Sequence, residues 1–343
     1  MSKNELKIIL QKYGLRPNKL LGQNFLIDRS VLKKIIAAAD LSKDDIVLEI
    51  GPGLGVLTEA LAERAGQVIA VEKDKRMAEI LEEKFSKSDN VQIIFGDILK
   101  ILPLGLPLCK RGIKGDLEQN KILPASPAGG PNPLLPKKGN NRYKVVANIP
   151  YYLTSHLIRK FLESNNPPQE MILMIQKEVA QRICAAPPKM SLLAVSVQFY
   201  AQPKIVSYVS KNSFWPRPKV DSAIIRITPH SSPLCKKGVR GDLEQNKILP
   251  ASPAGGPSPP FVKEGADKFF KVVRAGFAHP RKQLINNLSQ GLKIDRAKIS
   301  ATLKKIGLSP EQRAETLDVA DWTKLTDAFY PSFSGDVARR QNK

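Results

Sequence analysis

Residues 46–55 of the chain are IVLEIGPGLG, an apolar run of five residues that leads directly into a glycine-rich turn. The glycines follow the pattern G-x-G-x-G and so depart from the dinucleotide fingerprint G-x-G-x-x-G. Glycines at this place let the backbone approach a ligand closely, whether the ligand carries a pyrophosphate or a carboxylate and an amine. Apolar residues at helical spacing follow in Val56–Ala65. This order predicts a strand, a ligand-binding turn and a helix, which is the repeating unit of an α/β fold.

Three further apolar runs each end at a polar residue. They are Val68–Val71 before Glu72, Val91–Phe95 before Asp97, and Lys144–Ala147 before Asn148. Because ligands bind beyond the carboxyl ends of parallel strands, these residues and the glycine turn are expected to meet in one crevice. Glu72 lies 21 residues after Gly51, in the place of an acid that bonds ribose hydroxyls, and Asp97 suits an adenine amino group. Either acid alone fits a loop residue or a helix cap as well, but together with Gly51 and Gly53 they predict a nucleoside cofactor.

The segment Asn148-Ile149-Pro150-Tyr151 follows the fourth apolar run. An amide oxygen and a nearby backbone carbonyl can accept both protons of an exocyclic amine, which directs the nitrogen lone pair toward a methyl donor. Pro150 fixes the local geometry and is expected to leave its carbonyl free, and Tyr151 offers a flat face for a base taken out of its stack. Phe214 is a candidate for the opposite wall, with core packing as the competing explanation. The predicted catalytic residues are therefore Asn148, Pro150, Tyr151 and Phe214.

The remaining patterns divide the chain into two predicted domains. Strands and helices alternate through residues 1–230, which predicts a parallel sheet covered on both faces, and the β-rich segments Ser191–Val209 and Val220–Ile227 are expected to pair at its edge. Residues 266–343 contain only helical patterns and carry 15 Lys and Arg against 8 Asp and Glu. We predict a Rossmann-like α/β domain followed by a small, basic, all-helical domain.

A duplicated segment interrupts this order. Pro107–Gly139 and Pro233–Gly265 are two copies of one Pro-, Gly- and Lys-rich sequence, identical from Gly115 to Pro131 and from Gly241 to Pro257. Such a composition buries too little apolar surface to offset chain entropy. We expect the first copy to be disordered, the second to be linker-like and both to be dispensable; a pair of basic arms that touch nucleic acid is the alternative.

Charge and composition limit the partners. The 54 Lys and Arg against 32 Asp and Glu give a net charge of +22, which favours a phosphate-rich partner, either nucleic acid or an anionic membrane. The longest apolar runs fall well short of the ~20 residues of a membrane span, and Met1–Lys12 has no signal-peptide pattern, so we expect a soluble cytoplasmic protein without a membrane partner. The three cysteines and three histidines are scattered, so no metal site is expected.

Taken together, these motifs resemble the KsgA-type ribosomal RNA adenine dimethyltransferases, which share the class I S-adenosylmethionine-dependent methyltransferase fold with the Erm resistance methyltransferases. The resemblance extends over nearly everything outside the two copies. Its matching stretches are Leu21–Leu26, Glu49–Gly55, Glu72, Gly96-Asp97, Asn148–Tyr151, Gln176–Glu178, Phe214–Ala223 and Arg313–Leu317.

The resemblance implies a set of roles and a substrate. Its implied contacts to S-adenosylmethionine are Asn24, Leu26, Gly51, Glu72, Asp97 and Asn148, and its implied adenine-holding residues are Asn148, Pro150, Tyr151 and Phe214. The implied substrate is a pair of adjacent adenosines in a hairpin loop near the 3′ end of 16S rRNA, each dimethylated at N6 in the assembling small ribosomal subunit. The implied role of the helical domain is RNA binding. Two alternatives are an Erm-type enzyme acting on 23S rRNA and a non-catalytic, nucleic-acid-binding assembly factor with the same fold.

Overall fold

The structure is a computed structural model that describes residues 2–18, 22–101, 143–164, 166–230 and 260–331. The first copy of the duplicated segment, Pro107–Gly139, lies outside the described residues, and so does the second copy up to Pro259. The chain forms two compact units. Among the described residues, one unit comprises those up to Leu173 together with Lys211–Pro218, and the other comprises Met174–Ser210 and those from Lys219 onward.

The described elements follow the predicted alternation. The strands are β1 (Phe25–Leu26), β2 (Ile46–Ile50), β3 (Gln67–Glu72), β4 (Val91–Phe95), β5 (Tyr143–Asn148), β6 (Glu170–Gln176), β7 (Ala201–Val209), β8 (Phe214–Trp215) and β9 (Ser222–Pro229). The helices are α1 (Lys3–Lys12), α2 (Arg29–Ala39), α3 (Val56–Ala62), α4 (Lys75–Phe85), α5 (Ile98–Ile101), α6 (Thr154–Leu162), α7 (Lys177–Ile183), α8 (Leu192–Gln198), α9 (Pro260–Gly276), α10 (Leu284–Leu292), α11 (Arg296–Lys305) and α12 (Val319–Phe329). The four strands predicted from apolar runs are confirmed to within one residue at each end.

The first unit contains a parallel sheet in which four strands follow the order β4-β3-β2-β5. Strand β2 pairs in parallel with β3 and with β5, and β3 pairs in parallel with β4. The strand interiors are mostly apolar and rich in β-branched residues, which suits burial on both faces. Since parallel strands end at the same edge, the turn after β2 lies beside the ends of β3, β4 and β5. The predicted parallel sheet is confirmed.

A small two-stranded sheet lies in the same unit and joins two segments that are far apart in sequence. Strand β1 pairs antiparallel with β8, with Leu26 opposite Phe214 and Phe25 opposite Trp215. The Ile27 N–H donates to the Ser213 carbonyl at 2.9 Å, which continues this pairing. Helix α1 packs beside it, since Leu6 and Leu10 share a core with Phe25 and Leu54. The pairing brings the residues before β1 and the aromatic pair of β8 to one place.

The second unit contains strands β9 and β7 and the C-terminal helices. Strand β7 pairs antiparallel with β9 and has no further strand beside it in the described sheet order, which confirms the predicted edge pairing. The expectation that Ser191–Val209 is β-rich throughout was wrong, because residues 192–198 form α8. The Ser191 hydroxyl caps this helix by accepting the N–H of Ala194 at 3.1 Å.

One hydrophobic core explains why α8 is a helix. Ala194 and Val195 are buried there with Phe199, and the Phe199 ring stacks on that of Phe269 in α9 with centroids 4.2 Å apart. Helix α9 begins at Pro260, so the last six residues of the second copy of the duplicated segment belong to a helix. A separate RNA-binding domain that begins at residue 266 stays a prediction. Within the five described ranges, no helix has both the length and the apolar character needed to span a bilayer.

Candidate functional site

A pocket opens at the carboxyl edge of the sheet in the first unit. All ten residues predicted to bind the cofactor or hold the target base line it. They are Asn24, Leu26, Gly51, Gly53, Glu72, Asp97, Asn148, Pro150, Tyr151 and Phe214. The strand ends, the turn after β2 and the β1–β8 pair thus bring together residues that are up to 190 positions apart in sequence.

Residues of the glycine turn line this pocket. Gly51 has φ +66°, and a methyl group added to its Cα would meet no other atom within 4 Å, so its exposed face borders open space in the pocket. Gly55 has φ +75°, and an added methyl would lie 2.8 Å from side-chain atoms of Leu81 and Phe85. Both residues adopt the left-handed conformation that disfavours side chains. Gly51 therefore keeps the ligand space clear, whereas Gly55 lets α3 pack against α4.

Glu72 is held at the end of β3 by three backbone N–H groups. Its Oε2 accepts the N–H of Gly53 at 3.1 Å, and its Oε1 accepts those of Lys73 at 2.8 Å and Asp74 at 2.9 Å. Burial raises the pKa of Glu72 above its ordinary value, although the three donors stabilise the carboxylate and oppose that rise. The side chain therefore links the glycine turn to β3 and presents a fixed acceptor to the pocket.

Asp97 follows β4 and has two protein partners. Its Oδ1 accepts the N–H of Leu99 at 3.0 Å at the start of α5, and its Oδ2 lies 2.9 Å from the ammonium of Lys73. Although burial acts in the opposite direction, the hydrogen bonds and the positive charges of Lys73 and Lys100 hold the pKa of Asp97 below its ordinary value. Asp97 is therefore a carboxylate at neutral pH.

The carboxamide of Asn148 is oriented by the segment before β1. Its Nδ2 donates to the backbone carbonyl of Asn24 at 3.2 Å. With the amide nitrogen engaged in this way, the oxygen Oδ1 is the atom of Asn148 that is left to accept a hydrogen bond from a ligand. A hydrogen-bond acceptor is the group that an exocyclic amine requires.

One detail of the predicted base pocket was wrong. The Pro150 carbonyl is not free, because it accepts the N–H of Leu153 at 3.0 Å as a 3₁₀ turn begins at Tyr151. The physical reason is that this turn forms its first hydrogen bond with the carbonyl three residues back. Tyr151 and Phe214 both line the pocket, and Phe214 is also 4% exposed, so pocket lining and core packing coexist in this side chain.

Two charged residues of the pocket were missed by sequence reasoning. Glu49, in β2, is buried, and its Oε2 has no hydrogen-bond partner among the residues that the structure describes. Burial raises its pKa to about 8. An acid inside an otherwise apolar strand is the signal that would have found it. Lys73 gave no such signal, because a lysine after a strand normally indicates a solvated turn.

Comparison with known proteins places the chain in a family. The family model described as ribosomal RNA adenine dimethylase matches residues 14–240. Ribosomal RNA small subunit methyltransferase A of Dehalococcoides mccartyi (strain ATCC BAA-2100) is 41% identical over 324 residues, which cover 94% of this chain and 91% of that protein. The protein of the same name from Geobacillus thermodenitrificans is 38% identical over 332 residues, covering 95% and 96%.

Solved structures agree with this result. The crystal structure of the 23S rRNA methyltransferase ErmE has a TM-score of 0.59 and 25% identity, and the match covers 89% of this chain and 99% of ErmE. A dimethyladenosine transferase from Plasmodium falciparum has a TM-score of 0.61 at 24% identity, covering 88% and 95%. The predicted methyltransferase fold and the resemblance seen in the motifs are confirmed. The chain belongs to the ribosomal RNA adenine dimethylase family.

Proposed function

We propose that the protein transfers methyl groups from S-adenosylmethionine to N6 of two adjacent adenosines in a hairpin loop near the 3′ end of 16S rRNA. One observation carries this proposal. The segment Asn148–Tyr151 lines the same pocket as the glycine turn, Glu72 and Asp97. A cofactor site and a base-holding amide that share one pocket are what methyl transfer between two bound molecules requires.

The donor set of the pocket fits S-adenosylmethionine. Glu72 is a fixed carboxylate for ribose hydroxyls, and Asp97 is an acceptor for the adenine amino group. The open face of Gly51 lets the ligand approach the backbone, and the buried Glu49 oxygen without a described partner suits a cationic amine. When it is bound, the cofactor supplies an electrophilic methyl group on a sulfonium.

The protein's own contribution is to orient the nucleophile. The Oδ1 of Asn148 accepts a hydrogen bond from one N–H of the target amine, and the hydrogen bond from Nδ2 to the Asn24 carbonyl prevents the carboxamide from turning its donor toward the base. Tyr151 and Phe214 hold the flat ring between them once the base leaves its stack. Once methylated, N6 would be positively charged and would release its extra proton to water, so no strong base is needed. Rate enhancement therefore rests on positioning and on fixed dipoles.

The charge of the chain supports an RNA partner. The net charge is +22, and the second unit exposes basic side chains along α9 and α11 and in the segments that flank α10. These include Lys271, Arg274, Lys282, Lys293, Arg296 and Lys304. Phosphate contacts of this type position a protein on RNA without reading sequence, so the assembling small subunit is the proposed partner and the loop itself provides selectivity.

Primer extension on rRNA tests this proposal, because two methyl groups on N6 block base pairing and stop reverse transcriptase. The chain is expressed in a strain without its own dimethyladenosine, with Asn148→Ala as the matched inactive control. We expect adjacent stops near the 3′ end of 16S rRNA with the natural chain and none with the variant. Stops on 23S rRNA would instead identify an Erm-type enzyme, and ribosome association without any stop would identify a non-catalytic binder.

A further inference from the structure

Asp97 lines the pocket, and its carboxylate already has a cationic partner. Oδ1 of this carboxylate accepts the N–H of Leu99, so Oδ2 is the oxygen available to a ligand. Lys73 lies with its ammonium 2.9 Å from that oxygen, and both residues line the pocket. A ligand amino group that reaches Asp97 therefore meets an acceptor that is in use.

The ion pair between Lys73 and Asp97 is weak enough to be displaced. The Lys73 side chain is 49% exposed and that of Asp97 is 21% exposed. Pairs with this much access to water are screened and contribute little to stability, so the lysine can move aside at small cost. The pair nevertheless lowers the affinity of a ligand that displaces it, because the free energy of breaking the pair is subtracted from the free energy of binding.

We infer that Lys73 is a specificity-determining residue of the cofactor site, which competes with the adenine amino group for Oδ2 of Asp97. The inference rests on the proposed function, in which Asp97 accepts a hydrogen bond from that amino group. Lys73 thereby weakens the binding of an adenine-bearing cofactor. It also reduces the difference in affinity between adenine and a purine that carries a carbonyl in place of the adenine amino group.

The second effect follows from hydrogen-bond chemistry. A hypoxanthine ring presents a carbonyl oxygen where adenine presents its amino group, and a carbonyl facing a carboxylate alone is repelled. The Lys73 ammonium has three donors, so it can bond the Asp97 carboxylate and the carbonyl at once. Removing the charge of Lys73 should therefore change the affinities for the two rings in opposite directions.

The test compares Lys73→Met with the natural chain. Methionine keeps the length and the apolar stem of lysine but has neither charge nor donors. Lys100→Met is the matched control, because Lys100 acts on Asp97 through its charge, whereas Lys73 contacts it. The probes are S-adenosylhomocysteine and S-inosylhomocysteine, and the dissociation constant of each is measured by calorimetry at low and high salt.

Lys73→Met is expected to bind S-adenosylhomocysteine about two- to fivefold more tightly, the range that an exposed ion pair implies. Its affinity for S-inosylhomocysteine should fall, and the ratio of the two constants should stay unchanged in Lys100→Met. In the natural chain, added salt should tighten S-adenosylhomocysteine binding, because it weakens the competing pair. Lys73→Met should lose this response.

An unchanged or weakened affinity of Lys73→Met for S-adenosylhomocysteine, or a shift of both ligands in the same direction, would overturn the inference. Asp97→Ala separates this failure from a failure of the proposed function. If Asp97→Ala weakens S-adenosylhomocysteine binding while Lys73→Met has no effect, the result supports the cofactor site but contradicts the role of Lys73. If the natural chain does not bind S-adenosylhomocysteine, the result contradicts the proposed function itself.

Discussion

At the scale of single residues, the site depends on side chains that are held by their own backbone partners. Asn148 is the clearest case, because its amide nitrogen is bonded to the Asn24 carbonyl and its oxygen is left for the target amine. We expect Asn148→Ala to lower turnover on the order of a hundredfold or more, as loss of a preorganised polar group does. The dissociation constant of S-adenosylhomocysteine should change far less. Turnover is measured by labelled methyl transfer to undermethylated small subunits, and natural turnover in the variant would refute the role of the amide.

Glu49 should make the free energy of unfolding decrease as the pH rises. Its folded pKa is about 8 against an ordinary value of 4.5, so between these values the folded state keeps a proton that the unfolded state releases. Its contribution is therefore fully present below pH ~4.5 and is lost as the pH rises toward 8, by up to ~1.4 kcal/mol per pH unit. Glutamine has no such proton. In urea unfolding, the stability of the natural chain relative to Glu49→Gln should fall from pH 5.5 to pH 8, and parallel profiles would contradict this.

Single residues also show where sequence reasoning stops. Glu72 and Asp97 could be predicted because each follows an apolar strand, and strand ends in a parallel sheet converge. The engagement of the Pro150 carbonyl could not be predicted, because the 3₁₀ turn that uses it depends on how the chain leaves β5. The pairing of Lys73 with Asp97 joins the ends of two neighbouring strands, so it requires their register as well as their order.

At the scale of elements, two glycines of the same turn have different roles: Gly55 allows helix packing, and Gly51 leaves space for the ligand. Gly51→Ala and Gly55→Ala should both lose about 1–2 kcal/mol of unfolding free energy, because both positions are left-handed. Gly55→Ala should lose about 1–3 kcal/mol more, since its methyl group overlaps Leu81 and Phe85.

The same two variants should differ in ligand binding. Gly51→Ala projects its methyl group into the pocket and should weaken S-adenosylhomocysteine binding about tenfold, whereas Gly55→Ala should affect it less. Denaturant titration and calorimetry on the same preparations check both effects. A larger loss of stability in Gly51→Ala, or a larger loss of affinity in Gly55→Ala, would contradict the assignment.

Elements were predictable where local pattern and tertiary packing agree. The apolar runs of β2 and β4 matched their strands at both ends. Helix α8 is the exception, because the β-rich expectation was made for Ser191–Val209 as a whole, whereas LLAVSVQ itself consists mostly of Leu, Ala and Gln, which favour helices. Its cap at Ser191 and the core it shares with Phe199 and Phe269 stabilise the helix. Neither of these packing partners is visible in the local pattern.

At the scale of the whole molecule, the duplicated segment offers a test of which parts of the chain carry function. Its composition is too poor in apolar residues to build a core, and the ten predicted site residues that line the pocket all lie outside both copies. We expect a chain without residues 107–139 and 233–259 to keep its unfolding midpoint and its methyl transfer to small subunits. Deleting each copy separately is the control for loop closure. Loss of activity in the soluble double deletion would show that the copies act on the ribosomal particle.

The central claim is that one pocket holds the methyl donor and a target adenine together. The most direct measurement incubates the purified chain with labelled S-adenosylmethionine and undermethylated small ribosomal subunits, then maps the label by nucleoside digestion and mass spectrometry of 16S rRNA. The account predicts N6,N6-dimethyladenosine at two adjacent positions of one hairpin loop near the 3′ end. Label confined to 23S rRNA, to single methyl groups or to atoms other than N6 would contradict it.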